Sequence, residues 1–192
     1  MTSKDKILKV AYGLIHEKGY EDTSVDEIIS KAGISKSNFY YHFKTKQDLG
    51  LCVLELRIDN YVKYILNTTL LNKSLNPLER LDRFYSRIIS LHEENKCRFG
   101  CPFGNLAAEL SSKNDLFRKK LEGFFIFWQQ QIEDCLKEGI KSGQFSDKFN
   151  PGIFSEIILS HLQGAVLMSK TFMNINPLKK GSKEIINLLR AA

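Results

Sequence analysis

Residues 24–46 read SVDEIISKAGISKSNFYYHFKTK, and this segment says more about the architecture than any other part of the chain. Ser24 is a favourable N-cap for a first helix, and Glu27 is placed to complete a capping box with it. Gly33 ends that helix, and Ser35 can cap a second, short helix that begins at Lys36. Two short helices joined by a tight turn predict a helix-turn-helix unit.

The second helix of such a unit enters the major groove of DNA and leads with its N-terminal residues. Phe39 and Phe43 are spaced to lie on one face, so we predict that they anchor this helix to the helices before it. Three consecutive residues of a short helix cannot all face inward. Tyr40, Tyr41 and His42 are therefore predicted to point outward, where they can donate to phosphate oxygens.

The charge distribution also favours a surface that faces phosphate groups. The chain carries a formal net charge of +6, and residues 28–47 contain four lysines and no acidic residue. Residues 17–27, in contrast, contain five acidic side chains. Because nucleic-acid affinity depends on Lys and Arg neutralising phosphates, a local window without acids indicates such a surface better than the total charge does.

The rest of the chain is predicted to be helical as well. No run of alternating apolar and polar residues is bounded by turn residues, so no strand is expected. Three of the four prolines follow asparagine, at Asn76, Asn150 and Asn176, and Asn-Pro pairs favour helix starts. The pattern predicts an all-α fold of about nine helices, over residues 3–18, 24–32, 36–43, 47–71, 77–94, 102–111, 115–141, 151–173 and 177–189.

Composition and residue spacing argue against several other classes of protein. With 43% hydrophobic and 26% charged residues, the 192-residue chain is expected to be globular rather than disordered. No stretch approaches the ~18 apolar residues of a membrane span, and the polar N-terminus predicts no secretory signal, so we expect a cytoplasmic protein with no membrane partner. The four histidines show no nucleophile or metal spacing, so we predict no enzyme activity, no cofactor and no metal site.

The segment from Gly33 to Leu49 resembles the signature of the TetR family of one-component repressors. Gly19-Tyr20 and residues 23–28 match that family too, as do the chain length and the predicted helix count. The resemblance implies a homodimer that binds a palindromic operator. It implies a helix-turn-helix DNA-binding domain at residues 1–46, followed by a helical ligand-sensing and dimerisation domain at residues 47–192.

The same resemblance completes the set of predicted DNA-binding residues, because it adds Ser24 to those argued from the helix-turn-helix itself. An ammonium at the start of the fourth helix can hold the DNA backbone, which adds Lys46. The predicted set is Ser24, Ser35, Lys36, Ser37, Asn38, Tyr40, Tyr41, His42 and Lys46.

The resemblance also implies that the last two helices form a four-helix bundle with the partner subunit. From the residues alone, apolar side chains cover more than one face of helix 151–173, which fits either this bundle or a core within one chain. Gly164 and Ala165 would allow a second helix to approach closely. The predicted dimer-interface residues are Ile157, His161, Gly164, Ala165 and Met168.

One interpretation of the sensor is thiol chemistry. The Gly-Cys-Pro sequence at residues 100–102 resembles a segment in one branch of TetR-type regulators, some of which respond to electrophiles or oxidants through cysteine. Cys101 would lie at a helix N-terminus near Arg98, where a thiolate is stabilised, and Cys97 could act as a resolving thiol. The alternatives are that Cys101 only packs in a turn, or that both cysteines bind a metal with His92, which the spacing disfavours.

The other interpretation is an apolar ligand pocket. Its predicted lining residues, each of which could equally belong to the core, are Phe84, Tyr85, Phe103, Phe124, Phe127, Trp128, Met168 and Phe172. Glu109 is the one acid that we would assign to a cationic ligand, so a small apolar or electrophilic effector is expected instead. The sequence thus predicts a repressor released by a small molecule or by cysteine modification. The alternative is a DNA-binding activator or architectural protein without ligand gating.

Overall fold

The computed structural model describes residues 2–190, which fold into nine α-helices and one 3-10 turn. A single isolated β-bridge within these residues joins Phe145 to Arg190. The predicted all-α fold is confirmed. The helices are α1 (Ser3–Lys18), α2 (Val25–Ala32), α3 (Lys36–His42), α4 (Lys46–Tyr64), α5 (Pro77–Glu94), α6 (Pro102–Leu110), α7 (Asp115–Lys141), α8 (Pro151–Phe172) and α9 (Asn176–Leu189).

Asparagine side chains begin two of the long helices as predicted. Asn76 accepts the Glu79 N–H (3.0 Å) while the Glu79 carboxylate accepts the Asn76 N–H (3.2 Å), which forms a capping box at α5. Asn150 accepts the Ile153 N–H (3.1 Å) at α8. The prediction was wrong for Asn176, which is the first residue of α9 and makes no cap. Its own N–H donates to the Asn174 side chain (2.9 Å) instead.

The fourth helix ends at Tyr64, well before the predicted limit of residue 71. Thr68 donates its hydroxyl to the carbonyls of Tyr64 and Ile65 (3.0 Å each), and Thr69 donates to Ile65 (2.7 Å). These hydroxyls satisfy the carbonyls at the end of the helix, and the chain continues as the 3-10 turn Leu66–Thr68. The prediction was wrong here because local hydroxyl-to-carbonyl bonds competed with the helix.

The described chain divides into two compact units. Unit 1 comprises the residues up to Asn60 together with Pro102–Leu121, and unit 2 comprises Tyr61–Cys101 together with the residues from Glu122 onward. Unit 1 therefore holds α1–α3, most of α4, α6 and the first turns of α7. This division does not coincide with the boundary predicted between residues 46 and 47. Arg57 of α4 bonds to α1, and Glu109 of α6 bonds to the turn between α1 and α2.

In unit 1, the three N-terminal helices enclose a small apolar core. Its buried side chains include Ile7, Ala11, Leu14, Ile28, Phe39, Phe43 and Leu49, and each large one contributes about 1.5–3 kcal/mol. The buried Arg57 of α4 adds a polar link to α1. Its guanidinium donates to the Tyr12 carbonyl (2.9 Å) and lies 3.9 Å from the centre of the Tyr12 ring.

In unit 2, aromatic side chains form the centre of the core. The Trp128 ring lies 4.7 Å from the Tyr61 ring, 5.6 Å from Phe124 and 6.0 Å from Phe84, measured between centroids. Such packed aromatic pairs add to the stabilisation from burial alone. This cluster joins α5 and α7 to the last turn of α4.

A buried arginine ties α5 to α7 in the same unit. Arg80 is 1% exposed, and its guanidinium donates to the Leu70 carbonyl (2.7 Å) and to the Glu138 carboxylate (2.5 Å), which also binds Lys73. Burial raises the pKa of Glu138, but the hydrogen bonds from Lys73 and Arg80 outweigh it and leave that pKa below its ordinary value. The buried charge is therefore paired.

The last two helices pack against each other through a close contact. Gly181 of α9 lies against the His161 ring of α8, where any larger residue would overlap the ring. By length and composition, α8 is the one helix among the described residues that could cross a membrane, with 39% of its most apolar window buried. A helix that packs in a protein core meets the same criterion.

Candidate functional site

The third helix has one apolar and one polar face. Phe39 and Phe43 are 0% and 2% exposed, whereas Tyr40 and Tyr41 are 41% and 79% exposed. The Phe39 and Phe43 rings lie 6.1 Å apart and hold the helix against the unit 1 core. The predicted split between inward phenylalanines and outward tyrosines is confirmed, so the outer face of α3 is free to meet a partner.

Helix α2 has the predicted caps at both ends. Gly33 adopts φ +63°, the left-handed conformation that favours glycine, and Ser24 accepts the Glu27 N–H (3.1 Å). The Glu27 carboxylate does not close the predicted capping box. It binds the Lys18 and Lys31 ammonium groups instead, and the hydrogen bond from Lys18 lowers the pKa of Glu27. Glu27 thus links α1 to α2.

Small hydroxyl groups and a lysine begin α3. Ser35 accepts the Asn38 N–H (3.2 Å), and the Ser35 and Ser37 hydroxyl oxygens lie 2.9 Å apart. The Lys36 ammonium is 3.6 Å from the Asp26 carboxylate and remains largely exposed. Asn38 is half-buried, and within residues 2–190 its Oδ1 has no hydrogen-bond donor. Among the nine predicted residues, Asn38, His42 and Lys46 are half-buried and the other six are exposed.

The Lys46 side chain already has partners within unit 1. Its ammonium donates to the Glu21 carbonyl (3.0 Å) and lies 4.5 Å from the centre of the Tyr20 ring. Burial lowers its pKa, while the carboxylates of Glu109 and Glu21 oppose that change. An ammonium has three N–H donors, so Lys46 can bond to the turn between α1 and α2 and still donate to a phosphate.

The predicted set omitted one exposed cation on this surface. Lys44 follows α3, and its ammonium reaches the Tyr40 carbonyl at 3.5 Å. The sequence already indicated this residue, because Lys44 is one of the four lysines in residues 28–47, which contain no acidic side chain. His42 is half-buried against Tyr41, with 5.0 Å between ring centroids. Together these groups present hydroxyl, imidazole and ammonium donors, which suit phosphate oxygens and base edges.

The comparisons with known proteins agree with this geometry. Residues 7–51 match the family described as bacterial regulatory proteins of the tetR family, and residues 77–185 match the tetracyclin repressor-like C-terminal domain. The chain belongs to the TetR family. It is a DNA-binding transcriptional regulator, as the family's members are, and not an enzyme.

Individual relatives extend over most of this TetR-family chain. An uncharacterised HTH-type transcriptional regulator of Lactococcus lactis subsp. lactis is 33% identical over 92% of this chain and 88% of its own length. The HTH-type transcriptional repressor DhaR of Mycobacterium sp. strain GP1 is 30% identical, over 84% and 79%. The crystal structure of a TetR regulatory protein from Rhodobacter sphaeroides has a TM-score of 0.87 and 29% identity, over 96% and 97%.

The structure separates the eight predicted ligand-pocket residues. Phe84, Phe124 and Trp128 lie together in the aromatic cluster of unit 2, and Tyr85 is buried beside Phe84. Phe127, Met168 and Phe172 are exposed, at 39%, 42% and 58%, and Phe103 is buried in unit 1. Helix geometry explains the split, because neighbouring positions such as 127 and 128 face different directions.

A surface groove in unit 2 involves one of these residues. It lies between α5 and α9 and has a volume of about 270 Å³, with Tyr85, Ile89, Ser182 and Ile186 among its lining residues. The Tyr85 hydroxyl is buried and has no hydrogen-bond partner within residues 2–190. Burial raises the pKa of Tyr85 well above its ordinary value.

The two loop cysteines differ in their surroundings. Cys97 is 4% exposed and has φ +59°, and burial, then the Glu93 carboxylate, raises the pKa of its thiol. Cys101 is half-buried and immediately precedes α6. A raised pKa leaves less thiolate, and burial limits access, so both features disfavour Cys97 as a nucleophile.

Four of the five predicted dimer residues lie on one side of α8. Ile157, His161, Gly164 and Met168 follow the helical repeat and are exposed or half-buried. Ala165 is 7% exposed and faces the interior of its own subunit. The sequence had grouped it with Gly164 for its small size, which does not reveal which way a residue faces.

Proposed function

We propose that this chain is a cytoplasmic homodimeric repressor that binds a palindromic operator through α3 of each subunit. The orientation of α3 carries the proposal, because its phenylalanines are buried while Lys36, Tyr40 and Tyr41 point to solvent. A two-fold pair of such helices enters successive major grooves when the helices are about 34–36 Å apart. The proposed contacts are the nine predicted residues, together with Lys44.

The exposed apolar side of α8 supports the dimer. Ile153, Ile157, Leu167, Met168 and Phe172 are all large apolar residues with 42% or more of their surface exposed. Apolar surface of this extent is typical of protein–protein interfaces, and a two-fold interface uses the same patch on both subunits. We therefore propose that α8, together with α9, pairs with the same helices of a second copy.

Anisotropy titration of a labelled duplex from the region upstream of the protein's own gene tests DNA binding. We expect Tyr41→Ala to weaken binding about tenfold, because losing one contact of about 1.4 kcal/mol has that effect. Tyr64→Ala is the matched control, since Tyr64 is also an exposed tyrosine (54%) but lies in unit 2. Equal affinities for the two variants would contradict the role proposed for α3.

We further propose that a small apolar or electrophilic molecule releases the repressor. An apolar molecule could enter unit 2 among its aromatic side chains. An activated alkene instead reacts with Cys101. The thiolate sulfur bonds to the electrophilic carbon while the C=C π bond breaks, the electron pair moves to the adjacent carbon, and water protonates that carbon and leaves as hydroxide. Cys101 is proposed as the reacting thiol because the alternative, Cys97, is buried with a raised pKa.

A reporter gene controlled by the proposed operator distinguishes a repressor that an effector releases from a DNA-binding regulator that responds to no effector. Repression that is relieved by an added electrophile or apolar compound fits the proposal. Activation, or repression that no effector relieves, fits the alternative of an ungated DNA-binding protein.

A further inference from the structure

A carboxylate from a distant part of the sequence holds the turn that joins α1 to α2. Glu109 of α6 accepts the Tyr20 N–H at Oε2 (3.0 Å) and the Glu21 N–H at Oε1 (2.6 Å). Two consecutive backbone amides thus bind both oxygens of one carboxylate. Hydrogen bonds to an ionised acceptor are stronger than those between neutral groups. All of these residues belong to unit 1.

The turn is shaped to receive this carboxylate. Gly19 has φ +94°, and a Cβ built on it would lie 3.1 Å from Oε2 and 3.2 Å from Oε1 of Glu109. Thr23 donates its hydroxyl to the Gly19 carbonyl (2.7 Å) and closes the turn from the opposite end. A side chain at position 19 would strain the backbone and press on the carboxylate, so the contact needs glycine there.

The residues that Glu109 binds are the ones that support Lys46. The Lys46 ammonium donates to the Glu21 carbonyl and lies over the Tyr20 ring. The Tyr20 ring is itself confined, because a Cβ on Gly50 of α4 would lie only 2.5 Å from it. The position of Lys46 therefore depends on a turn whose backbone amides are fixed by Glu109.

An ion pair also joins the end of α6 to the same turn. Lys113, which follows α6, lies 2.7 Å from the Glu21 carboxylate. The pair is exposed at both ends, so it contributes little by itself. Glu109 is only half-exposed and makes two bonds to the backbone, so it is the stronger of the two attachments.

We propose that Glu109 is a positioning residue for operator binding: it holds the α1–α2 turn, and through that turn it holds Lys46, in the arrangement that meets DNA. The inference rests on the proposed DNA contacts of α3 and Lys46. Neutralising Glu109 should lower operator affinity even though it makes the protein more positive.

The direction of the change in DNA affinity distinguishes a positioning role for Glu109 from simple attraction between charges. Glu109→Gln and Glu17→Gln each remove one negative charge from unit 1, and Glu17 is exposed at the end of α1. Attraction to phosphate alone predicts equal or tighter binding for both variants. The glutamine carbonyl can accept one of the two amides, but its NH₂ group cannot accept the other. We expect about tenfold weaker binding for Glu109→Gln only.

A double-mutant cycle tests the route through Lys46. Lys46→Met removes the ammonium, so Glu109→Gln should weaken binding much less in that background than in the wild type. Hydrogen exchange provides a readout without DNA, since the Tyr20 and Glu21 amides should exchange faster in Glu109→Gln while the α5 amides do not change. If Glu109→Gln does not fold, Glu109→Asp takes its place. Aspartate keeps the charge but is one methylene shorter.

Two results would overturn the inference. One is a Glu109→Gln protein that binds DNA as tightly as Glu17→Gln, and the other is unchanged exchange at Tyr20 and Glu21. If the wild-type protein itself binds no duplex, the proposed function fails instead. The exchange measurement still decides in that case whether Glu109 holds the turn.

Discussion

Two glycines of α7 have opposite surroundings, so alanine at each should change stability in opposite directions. A Cβ built on Gly123 meets no atom within 4 Å, whereas a Cβ on Gly139 would overlap the Phe145 ring. Phe145 cannot easily move away. It is 2% exposed, its N–H donates to the Gly139 carbonyl (3.1 Å), and its backbone pairs with Arg190.

The sizes of the two effects follow from these contacts. Gly123→Ala should stabilise the protein by about 0.5–1 kcal/mol, since alanine loses less backbone entropy in a helix. Gly139→Ala has the same helical gain, but overpacking costs about 1–3 kcal/mol. We therefore expect Gly139→Ala to destabilise unit 2 by up to about 2.5 kcal/mol. The two variants should differ by about 1–3 kcal/mol, which is the overpacking cost alone.

Urea unfolding followed by tryptophan fluorescence measures this difference directly. Trp128 is the only tryptophan of the chain and is buried in unit 2, where both glycines also lie. The unfolding midpoint should rise for Gly123→Ala and fall for Gly139→Ala. Midpoints that move in the same direction would refute the packing described here for the end of α7.

Three further predictions concern the buried ion pair, the subunit contact and the sensor. Glu138→Gln should lower stability by about 1–3 kcal/mol, since it leaves the buried Arg80 guanidinium without a charged partner. Because folding lowers the Glu138 pKa, the wild-type advantage in urea should persist above its ordinary value of 4.5 and shrink as the pH falls through the lowered pKa. Ile157→Glu should yield monomers in sedimentation experiments, whereas Leu116→Glu, at a similarly exposed position of unit 1, should not; dimeric Ile157→Glu would rule out the α8 interface. Cys101→Ser should abolish release from DNA by an activated alkene, and Cys135→Ser should retain it, because burial raises the pKa of Cys135 to about 11. Release that survives Cys101→Ser would exclude this thiol.

Local signals in the sequence predicted most of the fold. Asn76-Pro77 marked the start of α5, and Gly33 with Ser35 marked the turn before α3, because caps act over three or four residues. The end of α4 was missed for a local reason, the bonds from the Thr68 and Thr69 hydroxyls, which apolar periodicity does not register.

The candidate site likewise has features that local sequence patterns predict and features that they do not. Helical spacing separated Phe39 and Phe43 from the outward tyrosines, so the binding face of α3 could be predicted. The bonds from Glu109 to the Tyr20 and Glu21 amides span 89 and 88 residues, and no local pattern indicates such a contact. The sequence instead suggested Glu109 as the acid for a cationic ligand, whereas its carboxylate is occupied by backbone amides.

The central claim is that two copies of α3 bind one duplex. The most direct measurement is the stoichiometry and salt dependence of binding to the duplex from upstream of the protein's own gene, with an unrelated duplex of equal length alongside. We predict two chains per duplex, preference for the upstream sequence, and a logarithm of affinity that falls linearly with the logarithm of salt concentration. A monomeric protein that binds neither duplex at low salt would contradict the account.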